Sequence, residues 1–233
     1  MRNIDPGFVI IWFVVFLFSL SFHESAHAWT SERFGDDTGR LQGRITLNPI
    51  AHIDPIGTIV FPLFALLTSV PLFGWAKPVQ TNPLLWREKT KANISVSAAG
   101  PISNFILMTI AFIILKILIL TGIFTLNGNA ATFYELVGPA PGQAAFLQPL
   151  SMFLGIMLLL NLGLGVFNLI PVPPLDGSHV LESLLPPQMA DAYAQIRPFG
   201  FILLIALMYF GVFNQIYQPI VLLVLQALFA GRF

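Results

Sequence analysis

Five apolar stretches, at about 7–28, 56–73, 94–123, 144–170 and 199–230, divide the chain, and short polar connections separate them. Each approaches the roughly 20 residues that a helix needs to cross the hydrocarbon core of a bilayer. The second is short and holds Pro62 and Pro71. The last is long, and Asn214, Gln215, Gln218 and Pro219 interrupt it, so it is either one kinked helix or a tight helical pair. The pattern predicts an all-α polytopic membrane protein with about four to six transmembrane helices. No internal repeat or low-complexity tract appears, and the connection 124–143 is too short for a soluble domain. One domain over 1–233 is expected, with a core at about 7–180 and a C-terminal helical segment at about 199–230.

Composition agrees. The 233 residues are 56% hydrophobic and 9% charged, where soluble domains carry about a quarter charged residues. Eleven basic and eleven acidic residues leave no net charge. No basic stripe exists, which excludes nucleic acid as a partner. Cysteine is absent, so thiolate nucleophiles, sulfur metal ligands and disulfides are excluded. Arg2, the apolar run and Ala26–Ala28 imitate a signal peptide. But Asp5 sits before that run and more membrane follows it, so an uncleaved first span is expected.

Charge orients the chain. Arg33, Arg40 and Arg44 lie in 30–55, and Lys77, Arg87, Lys89 and Lys91 in 74–93, while 124–143 has no Lys or Arg. The positive-inside rule places the first two connections in the cytoplasm and the third outside. A full span at 56–73 would put its flanks on opposite sides, so the two prolines are read as a re-entrant hairpin. The alternative is a short helix that breaks the charge rule. Lys116 falls toward the outer end of its helix, where its stem can snorkel.

The first stretch ends in "SFHESAHAWT", Ser21 to Thr30. Ionisable groups in a span are costly and functional by default. His23 and His27 are four apart, on one helical face, and can present two imidazoles to one metal. Glu24 lies beside that face, within reach of a water on the metal, as in zinc proteases. A catalytic zinc takes three protein ligands. Candidates for the third are His52, Asp54, Asp176 and His179. Asp176 is preferred, because Pro171, Pro173 and Pro174 stiffen the chain before it and Gly177 follows.

His23-Glu24-x-x-His27 together with "NLIPVPPLDG", Asn168 to Gly177, resembles the site-2 protease family of intramembrane zinc metalloproteases. "AAGPISN", Ala98 to Asn104, "NPIAHIDPIG" and "GWAKPV" are similar to a compact bacterial branch without a PDZ domain. The resemblance implies one Zn2+ per chain held by His23, His27 and Asp176, with Glu24 as general base. It implies that the Asn168 carboxamide donates to the scissile carbonyl oxygen, although helix capping would explain it equally well. Gly100 and Pro101 are read as packing residues. Asn104 is placed among the candidate substrate-binding residues, with a plain interhelical hydrogen bond as its preferred role. His52 is expected to bond a carbonyl at the membrane interface.

A transmembrane substrate hides its carbonyls in its own helix and must unwind. "GRITL", Gly43 to Leu47, and "WAKPVQ", Trp75 to Gln80, are candidate short strands lining the site, with Ile45 and Val79 binding substrate by strand addition. The expected function is intramembrane endopeptidase action on membrane proteins, single-span and pre-trimmed. The expected location is the cell membrane, multi-pass in the lipid bilayer, with the site nearer the cytoplasmic face. The competing readings are a metal or ion transporter and a non-catalytic membrane protein.

Overall fold

The structure is a computed structural model that describes residues 5–68, 74–127, 133–144 and 146–231. Asp5 caps the first helix, α1 (Pro6–Arg33), its carboxylate accepting from the Gly7 N–H at 2.9 Å with Pro6 at the first helical position. Both are strong helix-start signals. At 28 residues α1 is about 42 Å long, more than the roughly 30 Å of hydrocarbon. His23 and His27 lie in the C-terminal part of α1.

A four-residue helix, α2 (Thr38–Leu41), and a 3-10 turn at Pro49–His52 follow. Asp54 then caps a π-helical turn, Pro55–Val60, by accepting from the Ile56 and Gly57 N–H groups. The turn runs into α3 (Phe61–Thr68). These six and eight residues reach only about 20 Å, too short to span. The chain comes back beside its own entry point. The Trp75 N–H donates to Gly57 O at 3.1 Å, Thr58 Oγ1 to Trp75 O at 2.8 Å, and the Lys77 N–H to His52 O at 2.9 Å. Outgoing and returning segments are thus tied together, as a re-entrant hairpin requires. Pro71 lies outside the described residues.

Three long helices make the bundle: α1, α4 (Lys89–Leu120) and α5 (Leu147–Asn168). α4 packs on both of the others. Hydrogen bonds pair His23 with Asn104 and His27 with Val96, so α1 and α4 run antiparallel. α5 is the most enclosed, with 67% of its apolar window buried. Val15, Leu107, Leu115, Ile156 and Leu159 form the shared core.

Two strands, β1 (Phe124–Leu126) and β2 (Val137–Pro139), pair antiparallel, Phe124 opposite Pro139. They lie beyond the C-terminal end of α4, about 30 Å along that helix from the histidines. This corrects the strands expected at 43–47 and 75–80, neither of which forms. Ser25 explains the first. Its hydroxyl takes the Arg44 and Thr46 carbonyls and the Thr46 N–H, groups that a ladder would need. In the second, Pro78 supplies no donor and the Val79 N–H is taken by Glu24.

Beyond α5 come α6 (Asp176–Leu184), α7 (Pro187–Ala194), α8 (Gly200–Tyr209) and α9 (Val212–Phe229). The last apolar stretch is therefore a helical pair. Its break is not at the polar cluster 214–218 but at Gly211, whose φ of 70° stops α8. Pro219 sits inside α9. Lys116 does more than snorkel: its ammonium donates to the carbonyls of Ala227, Leu228 and Ala230 and caps the C-terminal end of α9. Among the described residues, five helical stretches are long and apolar enough to cross a membrane.

Candidate metal centre

The i, i+4 spacing on α1 puts the imidazoles of His23 and His27 together, their Nε2 atoms 3.1 Å apart. Asp176 meets them from α6. Its Oδ2 is 3.2 Å from His23 Nε2 and its Oδ1 is 3.5 Å from His27 Nε2. Among the described residues these are the three side chains that gather as a group that could hold a metal ion, with one donor atom from each lying within 4.8 Å of the others. Asp176 and Gly177 form the first turn of α6. A Cβ on Gly177 would stand 2.2 Å from Leu169 O, so glycine lets α6 dock onto the end of α5 and carry Asp176 to the histidines.

Each outer imidazole nitrogen has an acceptor. His27 Nδ1 lies 2.6 Å from Val96 O and His23 Nδ1 lies 2.7 Å from Asn104 Oδ1. A carbonyl accepts only, so the proton of neutral His27 sits on Nδ1 and its Nε2 offers a lone pair. With the same tautomer at His23, two lone pairs and a carboxylate converge on one point. Asp176 Oδ2 is buried and makes no hydrogen bond. Such a cluster repels itself unless a cation lies within it, and two imidazoles with one carboxylate is a donor set of catalytic zinc. α4 leaves room for the ion. A Cβ on Gly100 would stand 2.4 Å from His27 Nε2 and 2.6 Å from His23 Nε2.

Glu24 is half-buried and its Oε2 accepts from the Val79 N–H at 2.9 Å. The segment 74–87 crosses the site as a strap fixed at both ends. One end is the Trp75 and Lys77 tie described above. At the other, buried Asp36 accepts from the Asn82 N–H at 2.7 Å, the Thr38 N–H at 3.0 Å and Ser31 Oγ at 2.8 Å, while Trp86 Nε1 donates to Ser31 Oγ. Burial alone would raise the Asp36 carboxyl, but the hydrogen bonds from Thr38, Asn82 and Ser31 hold it below the usual carboxylate range.

A cavity of about 1080 Å³ opens beneath the strap, walled by Glu24, Val79, Asn168 and His179 together with the three metal-holding side chains. Asn168 stands on this wall and donates to Leu164 O of its own helix at 3.0 Å. Ile45 lines a different, apolar cavity of about 800 Å³, between another stripe of α1, with Phe22 and Trp29, and Ile102 of α4. Asn104 is a correction to the substrate contact expected of it. It is fully buried behind His23 and off the cavity wall. His52 does bond a carbonyl, Thr46 O at 3.0 Å, and is 2% exposed. Neither His52 nor Asp54, which caps the hairpin turn, belongs to the metal-holding group. His179 is exposed on the cavity wall, one turn beyond Asp176.

Sequence reasoning missed Gly100 as a part of the centre. Val96, Gly100 and Asn104 are spaced four apart on α4 and share the stripe that faces the histidines, a signal present in the sequence. It also missed Asn161, a carboxamide in the apolar middle of α5.

The model of Peptidase family M50 matches residues 11–207. "Putative zinc metalloprotease YwhC" of Bacillus subtilis is 39% identical over 194 residues, covering 83% of this chain and 78% of that one. "Putative zinc metalloprotease Rip2" of Mycolicibacterium smegmatis is 30% identical over 210 residues, covering 90% and 70%. No solved structure matches the chain.

Proposed function

The chain belongs to peptidase family M50, the site-2 protease family, and is a multi-pass zinc metalloprotease; from that premise we propose that it cleaves peptide bonds within or near the transmembrane segments of other membrane proteins, with His23, His27 and Asp176 holding the metal and Glu24 as general base. The observation that carries this reading is the convergence of both Nε2 atoms and the unbonded Asp176 Oδ2 in a cavity that also holds Glu24. Bound there, zinc supplies a Lewis acid that acidifies a water and polarises a carbonyl.

The chain's own residues do the rest. Glu24 stands one residue from His23 on α1 and keeps one carboxylate oxygen on the Val79 N–H. Its other oxygen takes the proton from the attacking water and returns it to the leaving nitrogen. Asn168 faces the cavity from the end of α5. Its carboxamide turns from Leu164 O to the scissile carbonyl oxygen when substrate arrives. Val79 lies on the strap beside Glu24, where an unwound substrate backbone would run. Ile45 is off the wall of that cavity and lines the neighbouring apolar one instead. The basic connections 30–55 and 74–93 orient the cavity toward the cytoplasm of the cell membrane. Substrates are single-span proteins shortened beforehand, which fit a cavity roofed by a strap.

The test is Glu24→Gln in proteoliposomes carrying a single-span reporter trimmed to a short ectodomain. Removing a general base costs roughly 10²- to 10⁴-fold in rate, so cleavage falls at least about 100-fold while zinc stays bound. Unchanged cleavage would remove Glu24 from the mechanism.

A further inference from the structure

Two asparagines in the middle of the bundle take no part in the mechanism above. Asn104 on α4 and Asn161 on α5 are each 0% exposed, and a carboxamide in a membrane interior persists only where its hydrogen bonds are met. Theirs are met in one direction. Asn161 Nδ2 lies 2.9 Å from Met157 O and 2.9 Å from Ser19 Oγ. Met157 O is a backbone carbonyl and accepts only, so the end of Asn161 that faces it must be the amide nitrogen. Asn161 Oδ1 then faces α4 and accepts from Asn104 Nδ2 at 2.9 Å. That leaves Asn104 Oδ1 toward His23, 2.7 Å from Nδ1. An amide oxygen accepts only, so the proton of neutral His23 is on Nδ1 and its lone pair is on Nε2, toward His27 and Asp176.

We infer that Asn161 is a positioning residue for the metal, which acts through Asn104 to hold His23 in the tautomer that can ligate. The inference rests on His23 being a ligand. His27 needs no such relay, because Val96 O is itself a fixed acceptor on its Nδ1. Asn104 alone has no fixed polarity. Without Asn161, its amide can turn its nitrogen toward His23, whose Nδ1 then accepts. The ring proton moves to Nε2 and points at Asp176 Oδ2, 3.2 Å away. In that state the carboxylate takes the imidazole N–H and competes with zinc for both groups.

The experiment measures zinc affinity of the full chain in detergent by chelator competition, and reads the His23 ring tautomer of the metal-free protein by 15N-histidine NMR. Variants are Asn161→Leu, Asn161→Asp, the double change Asn161→Leu with Asn104→Asp, and His23→Ala, each checked for helix content and melting. Loss of the partner that orients a ligand costs about 10- to 100-fold in metal affinity, the drop expected for Asn161→Leu with the His23 proton shifted toward Nε2. Asn161→Asp still offers Asn104 an acceptor and keeps the Nδ1–H signature. In the double variant the carboxylate that replaces the Asn104 amide can only accept, so the tautomer and the affinity return, which lost packing alone would not allow. Wild-type affinity and tautomer in Asn161→Leu overturn the relay, as does a double variant as weak as the single one. If Asn161→Leu does not fold, an Nε2–H signature in Asn161→Asp overturns it instead. Zinc lost in His23→Ala but kept in Asn161→Leu overturns the relay alone, whereas full affinity in His23→Ala removes the ligand reading and the relay with it.

Discussion

A methyl group at position 100 would stand 2.4 Å from His27 Nε2, inside the space that the ligands share. Gly100→Ala is therefore expected to expel the metal and leave the helices standing. Zinc retained after dialysis falls at least about tenfold with unchanged circular dichroism. Full zinc retention would mean that the ion does not sit between the histidines and α4. At this scale the sequence was informative where chemistry is carried by local spacing. His23 and His27 are four apart on one helix, and no fold is needed to bring them together. It was less informative where the partner lies on another helix. Asn104 was visible as polar, but its task, the acceptor on His23 Nδ1, appears only when α1 and α4 are packed. Asn161 carries no motif at all, and its role depends on a carbonyl one turn away in its own helix.

The strap at 74–87 shows how elements without regular structure are held. Its far end depends on Asp36, which accepts from the Asn82 N–H, and on Ser31, which accepts from Trp86. The Asp36 carboxyl is held below its usual value, so its unfolded form binds the proton first. Its contribution to stability is complete above the unfolded value of about 3.9. It is lost as the pH falls through the lower folded value. The melting-temperature gap between wild type and Asp36→Ala should be full at pH 7 and shrink below about pH 4. A gap that does not change with pH would show that Asp36 acts only through shape. The strands expected at 43–47 and 75–80 failed for the same physical reason as the strap succeeds. Side chains, Ser25 on one segment and Glu24 on the other, take the backbone groups that a ladder would use. Alternation in a short stretch cannot reveal such a competitor. The break at Gly211 was equally hidden, since one positive φ outweighs the polar cluster that follows it.

For the whole molecule, hydropathy and charge read the segment 56–73 differently. The segment 56–73 is apolar enough to resemble a span, yet basic residues on both flanks argued for a return. The structure ties Trp75 to Gly57 and Lys77 to His52. The chain has no cysteine, so single cysteines report cleanly. Thr38→Cys and Asn82→Cys should label from one side of a sealed vesicle and Gln143→Cys from the other. Labelling of Thr38→Cys and Asn82→Cys from opposite sides would require a full span at 56–73.

One zinc held by two histidines of the first helix and an aspartate that arrives from beyond α5, with Glu24 free of the metal, is the arrangement proposed. It is tested most directly by zinc content of the detergent-purified protein as wild type, His23→Ala, Asp176→Ala and Glu24→Gln. Wild type and Glu24→Gln should each hold about one zinc per chain, and both His23→Ala and Asp176→Ala should lose it. Zinc retained in a folded Asp176→Ala, or lost in Glu24→Gln, would contradict it.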